Sequence, residues 1–390
     1  MFSHHNIYFR DAADMRPLAD ESVDLVVTSP PYPMIEMWDE VFCRQDRSLK
    51  PLLQRGRGSE AFERMHAMLD AIWRELWRVV KKGGFVCINV GDATRTLGND
   101  FALYPNHVRI LTRLRQLGFT VLPDILWRKQ TNAPNKFMGS GMLPAGAYVT
   151  LEHEYILILR KGGKREFVKA ADKQRRHESA IFWEERNNWF SDVWFDLKGS
   201  RQELGDGKTR SRSGAFPFEL AARLVLMYSV KGDLVLDPFA GTGTTMAAAM
   251  AYGRNSAGFE IDRSLSGAIH AVAETVVDIA NHHIDGRLAA HLAFCRERLA
   301  AGKPIKHVNE PYGFPVITAQ ERRLVLDGLT AVRPRGHNAF EVAYAPKREL
   351  PRHEPLPEGT APPPAGPASQ KRRRSADASA AQMSLFGKTP

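Results

Sequence analysis

Up to Leu159 the chain alternates between short apolar runs and longer stretches in which apolar residues recur every three or four positions. The short runs are typical of buried strands, and the longer period is typical of amphipathic helices. Strands are predicted at Asp24–Val27, Phe85–Val90, Thr120–Trp127 and Tyr155–Leu159, and helices near Ser59–Val80 and Tyr104–Leu117. Strands that alternate with helices predict an α/β fold with a mostly parallel, doubly wound sheet.

The alternation returns in the second half of the chain. Predicted there are a helix at Phe218–Ser229, a strand at Asp233–Leu236, an alanine-rich helix from Met246 and a strand at Ser256–Glu260. The pattern after Glu260 is helical, and residues 301–345 have a globular composition without a motif that we can assign. From Pro346 onward the chain is rich in Pro, Ala and Gly, which predicts a disordered tail over residues 346–390.

Residues 160–212 separate the two halves and differ from both in composition. Lys and Arg outnumber Asp and Glu there, and large aromatic residues are interleaved with them: Phe182, Trp183, Trp189, Phe190, Trp194 and Phe195. A basic, aromatic-rich insert is typical of a surface that recognises nucleic acid. The alternative is a solvated excursion whose aromatic side chains form a small core, because large rings are core residues by default.

The first predicted strand leads into a constrained loop, Thr28-Ser29-Pro30-Pro31-Tyr32. Successive prolines fix the backbone and remove two donors, so the carbonyl groups of Ser29 and Pro30 have no local partner. A flat ring with an exocyclic amine can stack on Tyr32 while its amine donates to Ser29 Oγ and the Pro30 carbonyl. Acceptors in such positions favour the pyramidal, nucleophilic form of the amine. The alternative is an ordinary proline-rich turn.

The strand at Asp233–Leu236 leads into a second loop, Asp237-Pro-Phe-Ala-Gly-Thr-Gly-Thr-Thr. Its glycines, Gly241 and Gly243, allow close backbone approach by a ligand at the start of a helix. A phosphate-binding P-loop does not fit, because no Lys follows the glycines. Glu260 follows the next predicted strand, where a dinucleotide-type fold has the acid that accepts from ribose hydroxyls.

These motifs resemble those of the β class of amino-directed DNA methyltransferases, in which a Ser/Asp-Pro-Pro-Tyr motif precedes a Phe-x-Gly-x-Gly motif that binds S-adenosyl-L-methionine (AdoMet). The resemblance covers residues 6–275. It implies a circularly permuted, Rossmann-like AdoMet methyltransferase fold with a target-recognition region inserted at residues 160–212. The other expected divisions are a catalytic half at 1–159, an AdoMet-binding half at 213–300, an extension at 301–345 and the tail at 346–390.

Carried over by position, the resemblance implies two sets of site residues. The catalytic set is Ser29, Pro30, Pro31 and Tyr32. The AdoMet-binding set has Asp11 at the adenine, Glu260 at the ribose, and a loop around the methionine moiety formed by Asp237, Phe239, Gly241, Gly243 and Thr244.

The implied activity is site-specific transfer of a methyl group to the exocyclic amine of a base flipped out of double-stranded DNA, without a covalent enzyme intermediate. Ser in this motif is commoner among enzymes that modify cytosine at N4, and Asp among enzymes that modify adenine at N6. Cytosine N4 is therefore the expected target, and adenine N6 is the alternative. The enzyme would serve a restriction-modification system, beside a separate endonuclease, or act alone. From another class, a catalytically idle DNA-binding subunit of a restriction complex stays open.

Composition agrees with these expectations. The 390 residues carry a formal net charge of +10, which suits a polyanionic partner. Three cysteines have no metal-ligand spacing, and His282, His283 and His291 have no neighbouring ligand in the sequence, so no metal is assigned. No apolar run approaches membrane length and the first residues contain no signal-peptide pattern, so a cytoplasmic, nucleoid-associated protein is expected.

The tail ends in Gln382-Met383-Ser384-Leu385-Phe386. This segment resembles the Gln-x-x-Leu-Phe peptide with which bacterial replication and repair proteins bind the sliding clamp, although Met383 stands where Leu is common. The Pro/Ala/Gly-rich stretch before it would provide reach, and Leu385 and Phe386 would be the apolar anchors. A chance pentapeptide in a disordered tail is the alternative.

Overall fold

The computed structural model describes residues 1–98, 100–129, 148–198 and 216–345. The expected disordered tail with the peptide Gln382–Phe386 lies outside the described residues, as does part of the expected insert, residues 199–212. None of the described helices is long and apolar enough to cross a membrane.

The described strands and helices alternate through most of the chain. The strands are β1 Phe2–Tyr8, β2 Val23–Thr28, β3 Val80–Val90, β4 Ala93–Leu97, β5 Asp100–Tyr104, β6 Phe119–Val121, β7 Ile125–Arg128, β8 His153–Lys161, β9 Val193–Trp194, β10 Leu234–Asp237, β11 Asn255–Phe259, β12 His307–Val308, β13 Pro315–Val316, β14 Leu329–Pro334 and β15 Ala339–Tyr344. The α-helices are α1 Asp39–Gln45, α2 Leu49–Gln54, α3 Gly58–Val79, α4 Asn106–Leu117, α5 Ala170–Glu178, α6 Trp183–Trp189, α7 Phe218–Tyr228, α8 Thr244–Ala251 and α9 Ser266–Ala300.

One large mixed sheet organises the described residues. Its strand order is β14-β15-β1-β11-β10-β2-β3-β8-β7-β9, and β6 also pairs with β8. The five central strands, from β1 to β3, are parallel, and antiparallel strands flank them on both sides. The expectation of a mostly parallel, doubly wound α/β sheet is confirmed.

Helices cover both faces of this sheet, and the alternation of side chains along each strand explains why. In β2, Leu25 and Val27 face a core that includes α7, α8 and α9, whereas Val26 faces a second core formed with α3 and α4. All three side chains are almost fully buried. A central strand with two buried faces is mainly apolar, and this is why Leu25–Val27 appears in the sequence as an apolar run between the polar residues Asp24 and Thr28.

The sheet reverses its winding direction between β2 and β10. From β2 the chain passes through α1, α2 and α3 to β3 on one side, and from β10 it passes through α8 to β11 on the other. The two strands are adjacent and parallel, with Val235 opposite Leu25 and Leu236 opposite Val26. Their carboxyl ends therefore open into one crevice, which is where open α/β sheets bind ligands.

Two sequence predictions need correction. The single strand predicted at Thr120–Trp127 is two strands, β6 and β7, both antiparallel to β8. Pro123 lies between them and cannot donate to a ladder, while Asp124 Oδ1 accepts from the backbone N–H of Ile158 at 3.2 Å. The helix predicted from Met246 begins at Thr244, because Gly243 has a φ of +90° and ends the loop there.

Residues 301–345, for which the sequence predicted no motif, contribute β14 and β15 to the main sheet, through antiparallel pairing of β15 with β1.

The fold brings two carboxylates to His291 on α9, which the sequence did not predict. Ligand atoms of Glu184, His291 and Glu321 lie within 4.8 Å of one another. His291 Nδ1 is 2.7 Å from Glu184 Oε1, and His291 Nε2 is 2.8 Å from the Pro315 carbonyl oxygen. Because both partners are acceptors, both ring nitrogens carry a proton and donate. The cluster is thus built as a buried imidazolium ion pair.

This pairing makes the free energy of unfolding depend on pH. Burial opposes protonation, but contacts with Cys295 and Glu184 prevail and raise the pKa of His291 from 6.5 to about 10. A folded-state pKa above the unfolded one adds stability that is full below pH 6.5 and is lost as pH rises towards 10. We expect His291→Gln to cost about 3 kcal/mol at pH 6 and to flatten the fall in stability between pH 6.5 and 10. Chemical denaturation across this range measures both effects. The exposed His282→Gln is the control, and a His291→Gln profile parallel to that of the wild type would contradict the assignment.

Candidate functional site

A cavity of about 980 Å³ opens at the crevice between β2 and β10. The predicted site residues all belong to the described part of the chain, and all except Gly243 line this cavity: Asp11, Ser29, Pro30, Pro31, Tyr32, Asp237, Phe239, Gly241, Thr244 and Glu260. Gly243 is instead the residue that precedes α8. The fold therefore joins two sets of residues that are about two hundred positions apart in the sequence.

A hydrogen bond connects the two loops at the base of the cavity. Thr28, the last residue of β2, donates from Oγ1 to Asp237 Oδ1 at 2.6 Å. The backbone N–H of Phe239 donates to the same carboxylate oxygen at 3.0 Å. Burial raises the pKa of Asp237 to about 6, although hydrogen bonds from Thr28 and Thr245 counteract it. Asp237 thus fixes the start of the Gly-rich loop relative to the residue before Ser29.

Glu260 and the glycine loop form one side of the cavity. The Glu260 carboxylate accepts from the backbone N–H of Gly241 at 2.8 Å and from that of Asp262 at 2.8 Å. Burial raises the pKa of Glu260 even though both of these hydrogen bonds favour the charged form. Gly241 has a φ of +53°, a backbone conformation that residues other than glycine rarely adopt. The loop is therefore held against a buried acid that can accept from a ligand hydroxyl.

The Ser-Pro-Pro-Tyr loop forms the opposite side. Ser29 Oγ lies 3.0 Å from Tyr32 Oη. One edge of the Tyr32 ring packs against Gly91, where an added Cβ would lie only 3.1 Å from Tyr32 Cε2. After the loop, the buried Met34 has a φ of +69°, which is strained for a residue that is not glycine. The surrounding structure thus imposes the path of this loop.

Three polar residues that the sequence analysis missed complete this side. Tyr32 Oη donates to Glu154 Oε2 at 3.1 Å and accepts from Asn89 Nδ2 at 2.9 Å. Asn89 Nδ2 also donates to Glu154 Oε2 at 2.6 Å, and Lys129 Nζ pairs with Glu154 Oε1. The available signal was a polar residue at the cavity end of each apolar strand: Asn89 in β3, Lys129 after β7 and Glu154 in β8.

The described part of the insert divides its aromatic residues between two environments. Phe182, Trp189 and Trp194 are buried in the same core as α7 and α8, so these rings are structural. Phe190 and Phe195 are exposed, with the Arg186 guanidinium 5.8 Å from the Phe190 ring centroid and that of Arg128 6.0 Å from the Phe195 centroid. Three of the six rings are thus core residues, in keeping with the default burial of large rings.

Comparison with known proteins extends these observations. The family model for DNA methylase, N6_N4_Mtase, matches residues 23–269. The Type II methyltransferase M.MthZI of Methanothermobacter thermautotrophicus is 48% identical over 353 residues, which is 90% of this chain and 98% of the relative. The Type II methyltransferase M.MjaI of Methanocaldococcus jannaschii is 47% identical over 274 residues, or 67% of this chain and 89% of the relative.

Among solved structures, the TTHA0409 protein of Thermus thermophilus, in complex with S-adenosyl-L-methionine, has a TM-score of 0.54 and 32% sequence identity. The match covers 70% of this chain and 96% of that chain. The resemblance found in the sequence is confirmed by these matches: the chain belongs to the N6/N4 family of DNA methylases, whose methyl donor is AdoMet.

Proposed function

We propose that the protein transfers a methyl group from AdoMet to the N4 amine of a flipped-out cytosine in double-stranded DNA. One observation carries the proposal: the Ser-Pro-Pro-Tyr loop and the glycine loop line the same cavity and are connected through Thr28 and Asp237. A volume of about 980 Å³ is at the upper end of the range for small-molecule sites, so the cavity has room for a cofactor and a base together.

The glycine-loop side suits AdoMet. The buried Glu260 carboxylate would accept from the ribose hydroxyls, and the backbone of Gly241 and Thr244 at the start of α8 would face the methionine moiety. Asp11 lines the cavity beside this loop, in keeping with the role at the adenine that the family pattern gives it. AdoMet, when bound, supplies an activated methyl group.

The proline-loop side suits a planar amine. Ser29 Oγ and the Pro30 carbonyl would accept hydrogen bonds from its two N–H groups, and the Tyr32 ring would hold the base. Positioned acceptors of this kind raise the rate by holding the nucleophile in its reactive geometry. The acceptors would then hold the methylated amine while it loses a proton to solvent.

Cytosine is proposed because the motif has Ser29 where adenine-modifying members of the β class usually have Asp. The names of the two relatives, both Type II methyltransferases, support a restriction-modification context. A separate endonuclease as partner stays a prediction from the sequence. Recognition of the DNA site by residues 160–212, and clamp binding by Gln382–Phe386, stay predictions from the sequence.

The target base can be identified directly. We expect DNA from cells that express the protein to contain N4-methylcytosine at one recurring sequence, and DNA from cells that express Ser29→Ala to lack it. Mass spectrometry of the hydrolysed nucleosides measures the base, and sequencing of modified bases gives the site. N6-methyladenine in place of N4-methylcytosine would overturn the choice of base while leaving methyl transfer intact.

The cofactor assignment predicts selective loss of AdoMet binding. We expect Gly241→Val to weaken binding at least about tenfold, because a branched side chain strains a left-handed position by about 1–3 kcal/mol. Glu260→Gln should also weaken it, since a charged acceptor is lost. Titration calorimetry measures the affinity, with the exposed Glu274→Gln as the control. Wild-type affinity in both site variants would refute this cofactor site.

The catalytic assignment predicts a loss of turnover without a loss of AdoMet binding. We expect Ser29→Ala and Tyr32→Ala to lower kcat about a hundredfold, the usual cost of one positioned hydrogen-bonding group, and to leave AdoMet affinity unchanged. Methyl transfer to duplex DNA at saturating AdoMet measures the rate. Ser22→Ala, at the residue that precedes β2, is the control. Rates within a few fold of the wild type in both variants would refute the catalytic role of the loop.

A further inference from the structure

The hydrogen bonds behind the Ser-Pro-Pro-Tyr loop have a fixed direction. They begin at Glu154, whose side chain is only 13% exposed and which is opposite Trp127 in the pairing of β8 with β7. A carboxylate has no proton to give, so every bond to it must be donated from the other side. Its donors are Tyr32 and Asn89 at Oε2 and Lys129 at Oε1.

The hydroxyl group of Tyr32 lies between Glu154 and Ser29, so its one proton sets the direction of both hydrogen bonds. Tyr32 has one phenolic proton, and it goes to Glu154. The pKa of Tyr32 is well above 10, because burial and the Glu154 charge both disfavour the phenolate, so this proton stays in place at neutral pH. Tyr32 Oη is then an acceptor towards Asn89, 2.9 Å away, and towards Ser29, 3.0 Å away. Ser29 must donate to Tyr32, which leaves lone pairs on Ser29 Oγ for the cavity.

Asn89 reinforces this direction. Its Nδ2 group donates to both Tyr32 Oη and Glu154 Oε2, whereas its Oδ1 has no hydrogen-bond partner among the described residues. Turning the amide over would bring Oδ1 against the carboxylate, so the charge of Glu154 fixes the orientation of Asn89 as well.

We propose that Glu154 is a positioning residue for methyl transfer, which orders the hydroxyl groups of Tyr32 and Ser29 so that Ser29 acts only as an acceptor towards the substrate amine. The inference rests on the proposed function and deepens it. The amine becomes nucleophilic when acceptors bind its N–H groups and favour its pyramidal form, whereas a Ser29 hydroxyl that donated into the cavity would compete for the amine's lone pair.

Replacing Lys129 makes it possible to separate the effect of hydrogen-bond direction from the effect of the Glu154 charge. In Glu154→Gln the side chain keeps its shape but carries a donor at one end. The amide NH2 of Gln would face either Lys129 or the pair of Tyr32 and Asn89. All three residues donate at this position, so two donors would face each other in either orientation. Replacing Lys129 with Met as well leaves the donor end of Gln without this conflict. The amide oxygen can then accept from Tyr32 and Asn89 as Glu154 does.

The test compares single-turnover methyl transfer to duplex DNA in the wild type, Glu154→Gln and the double variant Lys129→Met/Glu154→Gln. We expect Glu154→Gln to lower the rate constant by about ten- to a hundredfold, with the affinities for AdoMet and DNA unchanged. The double variant should recover most of the lost rate, although it is further from the native composition. Glu274→Gln, which removes an exposed charge on α9, should have a rate close to that of the wild type.

Tyr32→Phe keeps the ring and breaks the chain of hydrogen bonds at its middle, so it should slow the reaction as Glu154→Gln does. It also provides the test if Glu154→Gln fails to fold, as judged by thermal unfolding and AdoMet binding. A wild-type rate in Tyr32→Phe or Glu154→Gln, or a double variant as slow as Glu154→Gln, would overturn the inference. A wild type that methylates no DNA would instead refute the proposed function itself.

Discussion

The site depends on the hydrogen bond between Thr28 and Asp237. It joins the ends of two adjacent parallel strands at 2.6 Å, and the residues that follow them form the two walls of the cavity. A buried carboxylate is costly unless its oxygens are satisfied, so Asp237 favours the register in which Thr28 reaches it. A one-residue slip between β2 and β10 would remove this hydrogen bond and separate the walls, while the local N–H of Phe239 would still reach the acid. The cost of burying Asp237 therefore enforces the geometry of the site.

Much of the site could be predicted from the sequence because the residue types in its two loops reveal their backbone conformations. Consecutive prolines at positions 30 and 31 fix φ, and glycines at positions 241 and 243 mark points where the loop takes a positive φ, so a local motif carries much of the geometry. The strands that carry these loops are buried on both faces and hence mainly apolar, so their places were also predictable. The start of α8 was less predictable, because the turn residue Gly243 sets it.

The remaining residues of the site could not be predicted in this way. Asn89, Lys129 and Glu154 belong to three strands that meet only when the antiparallel edge of the sheet is in register, and no spacing in the chain indicates this. The same limit applies to Glu184 and Glu321, which reach His291 from separate segments. Polar residues at strand ends were visible in the sequence, but their partners were determined by tertiary structure. Local pattern thus predicts what the backbone dictates, and long-range pairing decides which side chains cooperate.

The position of β1 has a consequence for how the protein is made. Residues 2–8 are synthesised long before their partners, which are β11, at residues 255–259, and β15, at residues 339–344. Similarly, β10 pairs with one edge of β2 but is synthesised some two hundred residues later. During translation this edge of β2 is therefore exposed without its partner, and an unpaired strand edge can pair with other chains. The nascent protein would need protection until β10 emerges, and it would acquire the capacity to bind its cofactor only late in synthesis.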